Sequence, residues 1–324
     1  MRRLQASLID RVNEWLVALR VWKRQPDVDV ARMYAWAENP PQPMHPDPED
    51  HTLRPWCVGA SGSRELWRAD AVRLSGDIND AAPWVATRIA PNSGPARAAV
   101  IFLHGWLANS MHLRFYQRLV SPLIRQDLEV WLPRLPQHME RTGPESWSGV
   151  SAISADLVET AQTLRRAVAE ARSLASWLRM RGVRHVGLWG VSLGGWVAAI
   201  AATVDPGWDA IVLWEPVVDP VATLWRSRLM APLREPLRRA GVHPEDDRIA
   251  LDFLVPGDAA LLVQRSSVLI IAGHYDDVVP PESVTRLAES WGVGVSWFPR
   301  GHINLMSSQQ ARSMTVNFLS CRLG

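Results

Sequence analysis

The chain has 324 residues, of which 47% are hydrophobic and 21% are charged, close to the globular average, which excludes a disordered or collagen-like chain. The 35 basic and 33 acidic residues nearly cancel to a formal charge of +2, which argues against a dedicated nucleic-acid binder. The length is long for one typical domain and short for two, so we expect one α/β domain with insertions.

The N-terminal segment predicts an amphipathic helix. Apolar residues recur at helical spacing from Leu4 to Trp22, but charged residues such as Asp10 and Arg11 interrupt the run, which is unlike a signal peptide. We expect this helix to pack on the body of the protein; the alternative is a peripheral contact with a membrane surface. No stretch of 18 uncharged apolar residues occurs, so no membrane-spanning helix is expected.

Two further features complete the outline of the chain. Cys57 and Cys321 are far apart and make no disulfide framework, so we expect a reducing, cytoplasmic compartment. Six prolines between residues 40 and 55 predict a linker or an extended wrap. The chain is therefore divided into an N-terminal extension, residues 1–80, and a main domain, residues 81–324.

Short apolar runs alternate with helical patterns along the main domain. The strands are predicted at residues 98–104, 128–132, 185–190, 210–214, 267–272 and 294–298. The helices are predicted at residues 157–178, 195–204, 282–291 and 304–319. This alternation indicates parallel β-α-β units and hence a doubly wound α/β sheet. Residues 216–264 lack a clear strand and are predicted to form a helical cap insertion above the sheet.

A serine motif follows the strand at 185–190. Residues 190–194 read GVSLG, which matches G-x-S-x-G between a predicted strand and a predicted helix. The serine of this motif lies on a strained turn, and bulk within two residues would prevent the backbone from closing. Ser192 is therefore the candidate nucleophile.

A serine nucleophile needs a base and an orienting carboxylate, and two later loops can supply them. Asp276 follows the strand at 267–272, and His302 follows the strand at 294–298. Because both loops are at the carboxyl ends of adjacent parallel strands, acid and base are expected at one edge. Alternative acids are Asp277, beside Asp276, and Glu215 or Asp219, which follow the strand at 210–214.

An oxyanion hole is expected from two backbone N–H groups. Leu193 is at the N-terminus of a predicted helix, where the dipole favours negative charge. The second donor is expected to be Trp106, in the His104-Gly105-Trp106 loop after the first strand of the main domain. We expect His104 itself to hold the turn.

The chain resembles the α/β-hydrolase superfamily over residues 82–320. Four motifs carry the resemblance, and they occur in the order HGW, GVSLGG, GHYDDVVP and GH. The resemblance implies a mostly parallel sheet of about eight strands with a mobile cap. It also implies Ser192 as nucleophile, Asp276 as acid, His302 as base, and Trp106 and Leu193 as oxyanion donors. Within the superfamily the chain is similar to dienelactone-hydrolase-like and peptidase-like esterases. The first 80 residues match no family pattern.

Several features near these motifs could contribute to the substrate site. The loop at 133–141 carries His138 and Arg141, which either touch substrate or belong to a solvated loop. The cap holds arginines, which form either a solvated helix face or a site that binds an anion. It also holds apolar side chains, which either line a site for an acyl group or pack the cap onto the domain. The arginines are Arg226, Arg228, Arg234, Arg238 and Arg239, and the apolar residues are Leu224, Trp225, Leu229, Met230, Leu233 and Leu237. Trp106, Trp189, Trp196 and Trp214 predict a bulky apolar wall near the serine.

The sequence favours a serine hydrolase that cleaves carboxylic esters through an acyl-enzyme. The expected partner is a small-molecule ester or acyl substrate. A thioesterase, acyltransferase or peptidase would use the same groups, and a non-catalytic binding protein of this fold is the remaining alternative. Neither a metal-ligand motif nor a nucleotide-binding motif occurs, so no metal and no cofactor are expected.

Overall fold

A computed structural model describes residues 21, 26–48, 53–75, 82–91, 94, 96–144, 146–244, 251 and 254–324. The predicted amphipathic helix lies outside the described residues, apart from the buried Val21. The described part of the chain contains no helix that is both long enough and apolar enough to cross a membrane. Both Cys57 and Cys321 are exposed free thiols.

The core of the structure is one mixed sheet. Its strands are β1 (Trp56–Ser61), β2 (Arg64–Ala69), β3 (Trp84–Ile89), β4 (Ala98–Leu103), β5 (Glu129–Pro133), β6 (His185–Val191), β7 (Ala210–Trp214), β8 (Val268–Gly273) and β9 (Val295–Phe298). Their order is β1-β2-β3-β5-β4-β6-β7-β8-β9. The pairs β1–β2, β2–β3 and β3–β5 are antiparallel, and the other five neighbouring pairs are parallel. The predicted α/β fold with a mostly parallel sheet is confirmed.

Helices cover both faces of the sheet. They are α1 (Val30–Glu38), α2 (Ser110–Ile124), α3 (Leu157–Met180), α4 (Leu193–Val204), α5 (Pro220–Arg226), α6 (Ala231–Arg239), α7 (Pro281–Trp291), α8 (His302–Leu305) and α9 (Gln309–Leu323). Side chains of α3 and α4 belong to one buried cluster, and those of α2 and α9 belong to the other. Because both faces are covered, β4, β5 and β7 are buried along their whole length, which explains the continuous apolar runs of β4 and β7.

The sheet extends further toward the N-terminus than the sequence predicted. β1 and β2 belong to the predicted extension, yet β2 pairs with β3 over six residue pairs. The prediction of about eight strands becomes nine, and the sheet begins at residue 56 instead of after residue 80. All six residues of β1 are exposed, so this edge strand lacks the apolar alternation that identifies a strand in a sequence.

The proline-rich segment is attached to α3. Arg165 Nε donates to the carbonyl oxygen of Met44 at 2.8 Å, and Arg172 donates to that of Pro46 at 2.7 Å. These are bonds from buried guanidinium groups to backbone carbonyls. Of the two predicted interpretations, an extended wrap therefore describes residues 40–48 better than a free linker.

Candidate active site

Ser192 lies on the tight turn between β6 and α4. Its backbone angles, φ 53° and ψ −112°, are strained for a residue with a side chain. A Cβ on Gly190 would collide with the carbonyl of Gly194, and a Cβ on Gly194 would collide with the carbonyl of Leu103 in β4. The two motif glycines are therefore required because the turn packs against its own backbone and against the neighbouring strand.

Ser192, His302 and Asp276 form one hydrogen-bonded chain. His302 Nε2 lies 2.9 Å from Ser192 Oγ, and His302 Nδ1 lies 2.7 Å from Asp276 Oδ2. The other oxygen of Asp276 accepts from the backbone N–H groups of Val278 and Val279, both at 2.8 Å. This geometry orients the imidazole so that Nδ1 carries the proton and Nε2 can accept one from the serine.

The charges of His302 and Asp276 depend on each other. Burial alone would raise the pKa of Asp276, but the charge of His302 and hydrogen bonds from His302 and the Val279 N–H hold it below its usual value. Burial would lower the pKa of His302, but Asp276 raises it well above its usual value. Asp276 therefore stabilises the imidazolium that forms when His302 accepts a proton.

The alternative acids lie in different surroundings. Asp277 is exposed, although it is the neighbour of Asp276. Asp219 caps α5 by accepting from the N–H of Ala222 at 2.8 Å, and it pairs with Arg286 at 2.6 Å. Glu215 does reach the site, since its Oε2 lies 3.1 Å from His302 Nδ1.

Glu215 is a second carboxyl group beside His302. Its side chain is 1% exposed, and burial followed by the charge of Asp276 raises its pKa well above the usual value. Glu215, Asp276 and His302 each place one potential ligand atom within 4.8 Å of the others, a distance that a metal site also shows. We interpret the group as a hydrogen-bonded pair of His302 and Asp276 with Glu215 beside it, because His302 Nδ1 must carry a proton to bond Asp276.

The loop that carries Trp106 lies against Ser192. A Cβ on Gly105 would be 3.6 Å from the Cβ of Ser192. The buried His104 fixes the loop, since Nδ1–H donates to the carbonyl of Gly105 at 2.9 Å and Nε2 accepts from the N–H of Leu135 at 3.1 Å. The indole of Trp106 donates to the carbonyl of Gly149 at 2.6 Å. The two N–H groups expected as oxyanion donors, of Trp106 and Leu193, thus lie on segments next to the serine.

A cavity of about 320 Å³ opens over Ser192 and His302. Its lining includes the cap residues Leu229 and Met230, and apolar residues from other loops. These other apolar residues are Trp106, Leu107, Trp147, Ile153, Ile303 and Met306. No sequence pattern pointed to Trp147, Ile303 or Met306, because residues from separate loops meet here only after folding.

The predicted tryptophan wall is only partly present. Trp106 lines the cavity, whereas Trp189, Trp196 and Trp214 are buried in the core at 0–2% exposure and are not among its lining residues. The indole of Trp196 donates to the carbonyl of Leu254 at 2.7 Å, and that of Trp214 donates to the hydroxyl of Thr315 at 2.8 Å. Closeness to the motif in sequence did not place these rings at the cavity, because Trp189 and Trp214 pack into the buried cluster on one face of the sheet and Trp196 of α4 packs into the other.

The structure places His138 and Arg141 inside the protein and outside the cavity lining. The Nδ1–H of His138 donates to the carbonyl of Pro136 at 2.9 Å, and burial lowers the pKa of this histidine to about 4. The guanidinium of Arg141 pairs with both carboxylate oxygens of Glu170 at 2.6 Å. The predicted solvated loop is not observed either. Because both side chains have internal partners, we do not include them in the proposed substrate site.

The cap arginines mostly contact the cap itself or neighbouring elements. Arg226 pairs with Glu282 and Arg239 with Glu235. Arg234 donates to the carbonyls of Leu224 and Ser227, and Arg238 lies over the ring of Trp225. Leu233 and Leu237 are fully buried and dock the cap. The cap therefore contributes apolar side chains to the cavity, and these contacts favour a structural role for most of its arginines.

A protein of Mycobacterium tuberculosis resembles the chain in sequence. Over 191 residues it is 32% identical to the uncharacterized protein Rv2627c of Mycobacterium tuberculosis, a match that covers 57% of this chain and 44% of that protein. The chain therefore spans less than half the length of this relative.

Solved structures resemble the chain at low sequence identity. Acetyl xylan esterase 1 from Thermoanaerobacterium sp. JW/SL YS485 has a TM-score of 0.65 at 16% identity, covering 96% of this chain and 98% of its own. A cold-adapted esterase from an Arctic intertidal metagenomic library has a TM-score of 0.56 at 14% identity, covering 82% and 97%. At these identities the structural likeness establishes the fold. Residues 100–312, about two thirds of the chain, match the model of the alpha/beta hydrolase family, and the chain belongs to this family.

Proposed function

We propose that the protein is a serine hydrolase that cleaves carboxylic esters through an acyl-enzyme. The observation that carries this proposal is the hydrogen-bonded chain from Ser192 through His302 to Asp276 at the base of an apolar cavity. Hydroxyl, imidazole and carboxylate in this order are the groups needed to activate a serine.

The proposed reaction begins with attack of Ser192 Oγ on the acyl carbon. His302 Nε2 takes the hydroxyl proton as the C–O bond forms, and Asp276 holds the ring and stabilises the imidazolium. The tetrahedral intermediate collapses when the bond to the alcohol oxygen breaks and His302 donates the proton to that oxygen. A water molecule, deprotonated by His302, then attacks the acyl-enzyme, and the acid leaves as Ser192 regains its proton.

The N–H groups of Leu193 and Trp106 are the proposed donors to the oxyanion. Leu193 is the first residue of α4, so its N–H is at the positive end of the helix dipole. The closeness of Gly105 to the side chain of Ser192 supports the N–H of the next residue, Trp106, as the second donor. Each such donor contributes about 2.7–4 kcal/mol at the transition state.

The cavity supports an ester with an apolar group as the substrate. Its volume of about 320 Å³ is at the lower end of the range for small-molecule sites. Solved structures of the same fold that are named acetyl xylan esterase and cold-adapted esterase also favour ester chemistry. Met230 and Trp147 provide apolar surface for the acyl or alcohol group.

A fluorophosphonate probe tests the nucleophile, because it reacts covalently with an activated serine. We expect labelling of the natural protein and none of the Ser192→Ala variant, with Asp277→Asn as a matched control that labels normally. A series of p-nitrophenyl esters of increasing chain length, compared with an acyl-CoA, then tests the ester class. Equal labelling of the natural protein and Ser192→Ala would show that Ser192 is not the nucleophile.

A further inference from the structure

Glu215 is a buried carboxyl group for which the proposed reaction has no use. It follows β7 directly, with φ 46°, and its N–H donates to the carbonyl of Ile271 in β8 at 2.9 Å. A Cβ on Gly273 would lie 2.9 Å from Glu215 Oε1, so the carboxyl occupies space that only a glycine in β8 leaves open. The fold thus directs Glu215 toward His302.

The hydrogen bonds distinguish the two carboxyl groups beside His302. Asp276 accepts from His302 and from two backbone N–H groups, which is the environment of an ionised carboxylate. Neither oxygen of Glu215 has a partner with hydrogen-bond geometry in the described part of the chain, even though Oε2 lies 3.1 Å from His302 Nδ1. The N–H of that nitrogen points at Asp276 instead. An ionised Glu215 would be a second buried negative charge beside Asp276, with no aligned hydrogen bond of its own, so its neutral form is favoured.

We propose that Glu215 is a reserve acid: a positioning residue that is protonated beside Asp276 and that replaces Asp276 as the acceptor of the His302 Nδ1–H when Asp276 loses its charge. This inference rests on the proposed function, since it concerns the orientation of the same histidine. The titratable groups that face Glu215 among the described residues are Asp276 and His302.

The exchange needs only a small movement and one proton. When residue 276 carries no charge, the repulsion that adds to burial in keeping Glu215 protonated disappears. The charge of His302 and a hydrogen bond from it then favour the ionised form, and Glu215 releases its proton to solvent. The carboxylate then lies 3.1 Å from Nδ1, and a small rotation of either side chain aligns the hydrogen bond. His302 keeps the tautomer in which Nε2 accepts the proton of Ser192.

Four variants test the proposal: Glu215→Gln, Asp276→Asn, the double variant, and Asp277→Asn as the exposed control. Because the amide introduced by Asp276→Asn could itself donate to Nδ1, Asp276→Ala with and without Glu215→Gln serves as a second pair. Urea unfolding confirms that each variant is folded. The readouts are the pKa of His302 from an NMR titration and the value of kcat/KM for a p-nitrophenyl ester.

We expect Glu215→Gln to change both readouts little, because the group it replaces is already neutral. Asp276→Asn should lose about 10²-fold in kcat/KM and keep a raised His302 pKa, whereas the double variant should lose about 10⁴-fold, the loss typical of a triad without its carboxylate. In the double variant the His302 pKa should fall below its usual value, because burial is then unopposed.

Two results would overturn the proposal. The reserve role is wrong if Asp276→Asn and the double variant have the same His302 pKa and the same residual activity. The neutral state is wrong if Glu215→Gln alone lowers the His302 pKa toward the value of the double variant. The NMR titration needs no turnover, so it remains decisive even if fluorophosphonate labelling shows that Ser192 is not a nucleophile.

Discussion

The buried pair of Arg141 and Glu170 permits a quantitative test of a structural role. Arg141 Nη1 and Nη2 each lie 2.6 Å from one carboxylate oxygen of Glu170, and the two side chains are 1% and 4% exposed. Arg141 also donates to the carbonyl of Arg134 at 2.8 Å and to that of Ala82 at 3.3 Å. The pair therefore joins the 134–141 loop and the start of β3 to the long helix α3.

Removing one partner leaves a buried charge without its counterpart. Glu170→Leu should lower the free energy of unfolding by about 3–5 kcal/mol, and Arg141→Met by a similar amount. The double variant removes both charges, but the carbonyls of Arg134 and Ala82 still lose their donor. We therefore expect it to cost only about 1–3 kcal/mol, less than the sum of the single variants.

Urea unfolding followed by circular dichroism measures these differences. With an m-value of about 3 kcal/mol/M, each single variant should lower the midpoint by about 1 M or more. Arg141→Met should leave KM unchanged for esters with or without a carboxylate, because Arg141 does not line the cavity. A loss below about 1 kcal/mol in Glu170→Leu, or a raised KM confined to carboxylate-bearing esters in Arg141→Met, would refute the structural assignment.

Two further predictions concern the cavity and the histidine. Met230 lines both the main cavity and a smaller apolar one, as do Ile153 and Val217. Truncation by Met230→Ala should therefore shift the preference of the p-nitrophenyl ester series toward longer chains, by about tenfold or more in kcat/KM per added methylene. An unchanged preference would show that Met230 does not limit the chain length. Because the pKa of His302 is raised, the neutral base should form only at a pH above the usual histidine pKa, and kcat/KM should rise with pH there. A midpoint of this rise at or below the usual histidine pKa would contradict the raised pKa. The raised pKa of His302 also stabilises the folded state. This contribution is complete at a pH below about 6.5, the histidine pKa in the unfolded chain, and it should be lost as the pH rises through the pKa in the folded state. Urea unfolding at a series of pH values measures the change.

Local patterns in the sequence predicted most of the parallel half of the sheet. The strand expected at 98–104 is β4 at 98–103, and the helix expected at 157–178 is α3 at 157–180. These elements are recognisable because strands buried on both faces are continuous apolar runs and the helix has apolar residues every three or four positions. The exposed edge strand β1 has neither pattern, so it became visible only through its pairing with β2.

Polar residues were harder to place than apolar ones. His138 and Arg141 are in a segment whose composition resembles a solvated loop, yet both are buried. The partner of Arg141 is Glu170, 29 residues further along the chain, and no spacing rule connects the two. A sequence shows which charges exist, but burial and pairing of a charge depend on segments that meet only in the folded chain.

Local sequence patterns were enough to order the motifs and to identify the loops that carry Ser192, Asp276 and His302, because a glycine-flanked serine turn and strand-end loops are local features. The distances of 2.9 Å and 2.7 Å between their side chains, and the 3.1 Å contact of Glu215, were decided by tertiary structure. The physical reason is the parallel register of β7 and β8, in which Trp214 pairs with Ile271, so that the chain leaves both strands beside the same histidine.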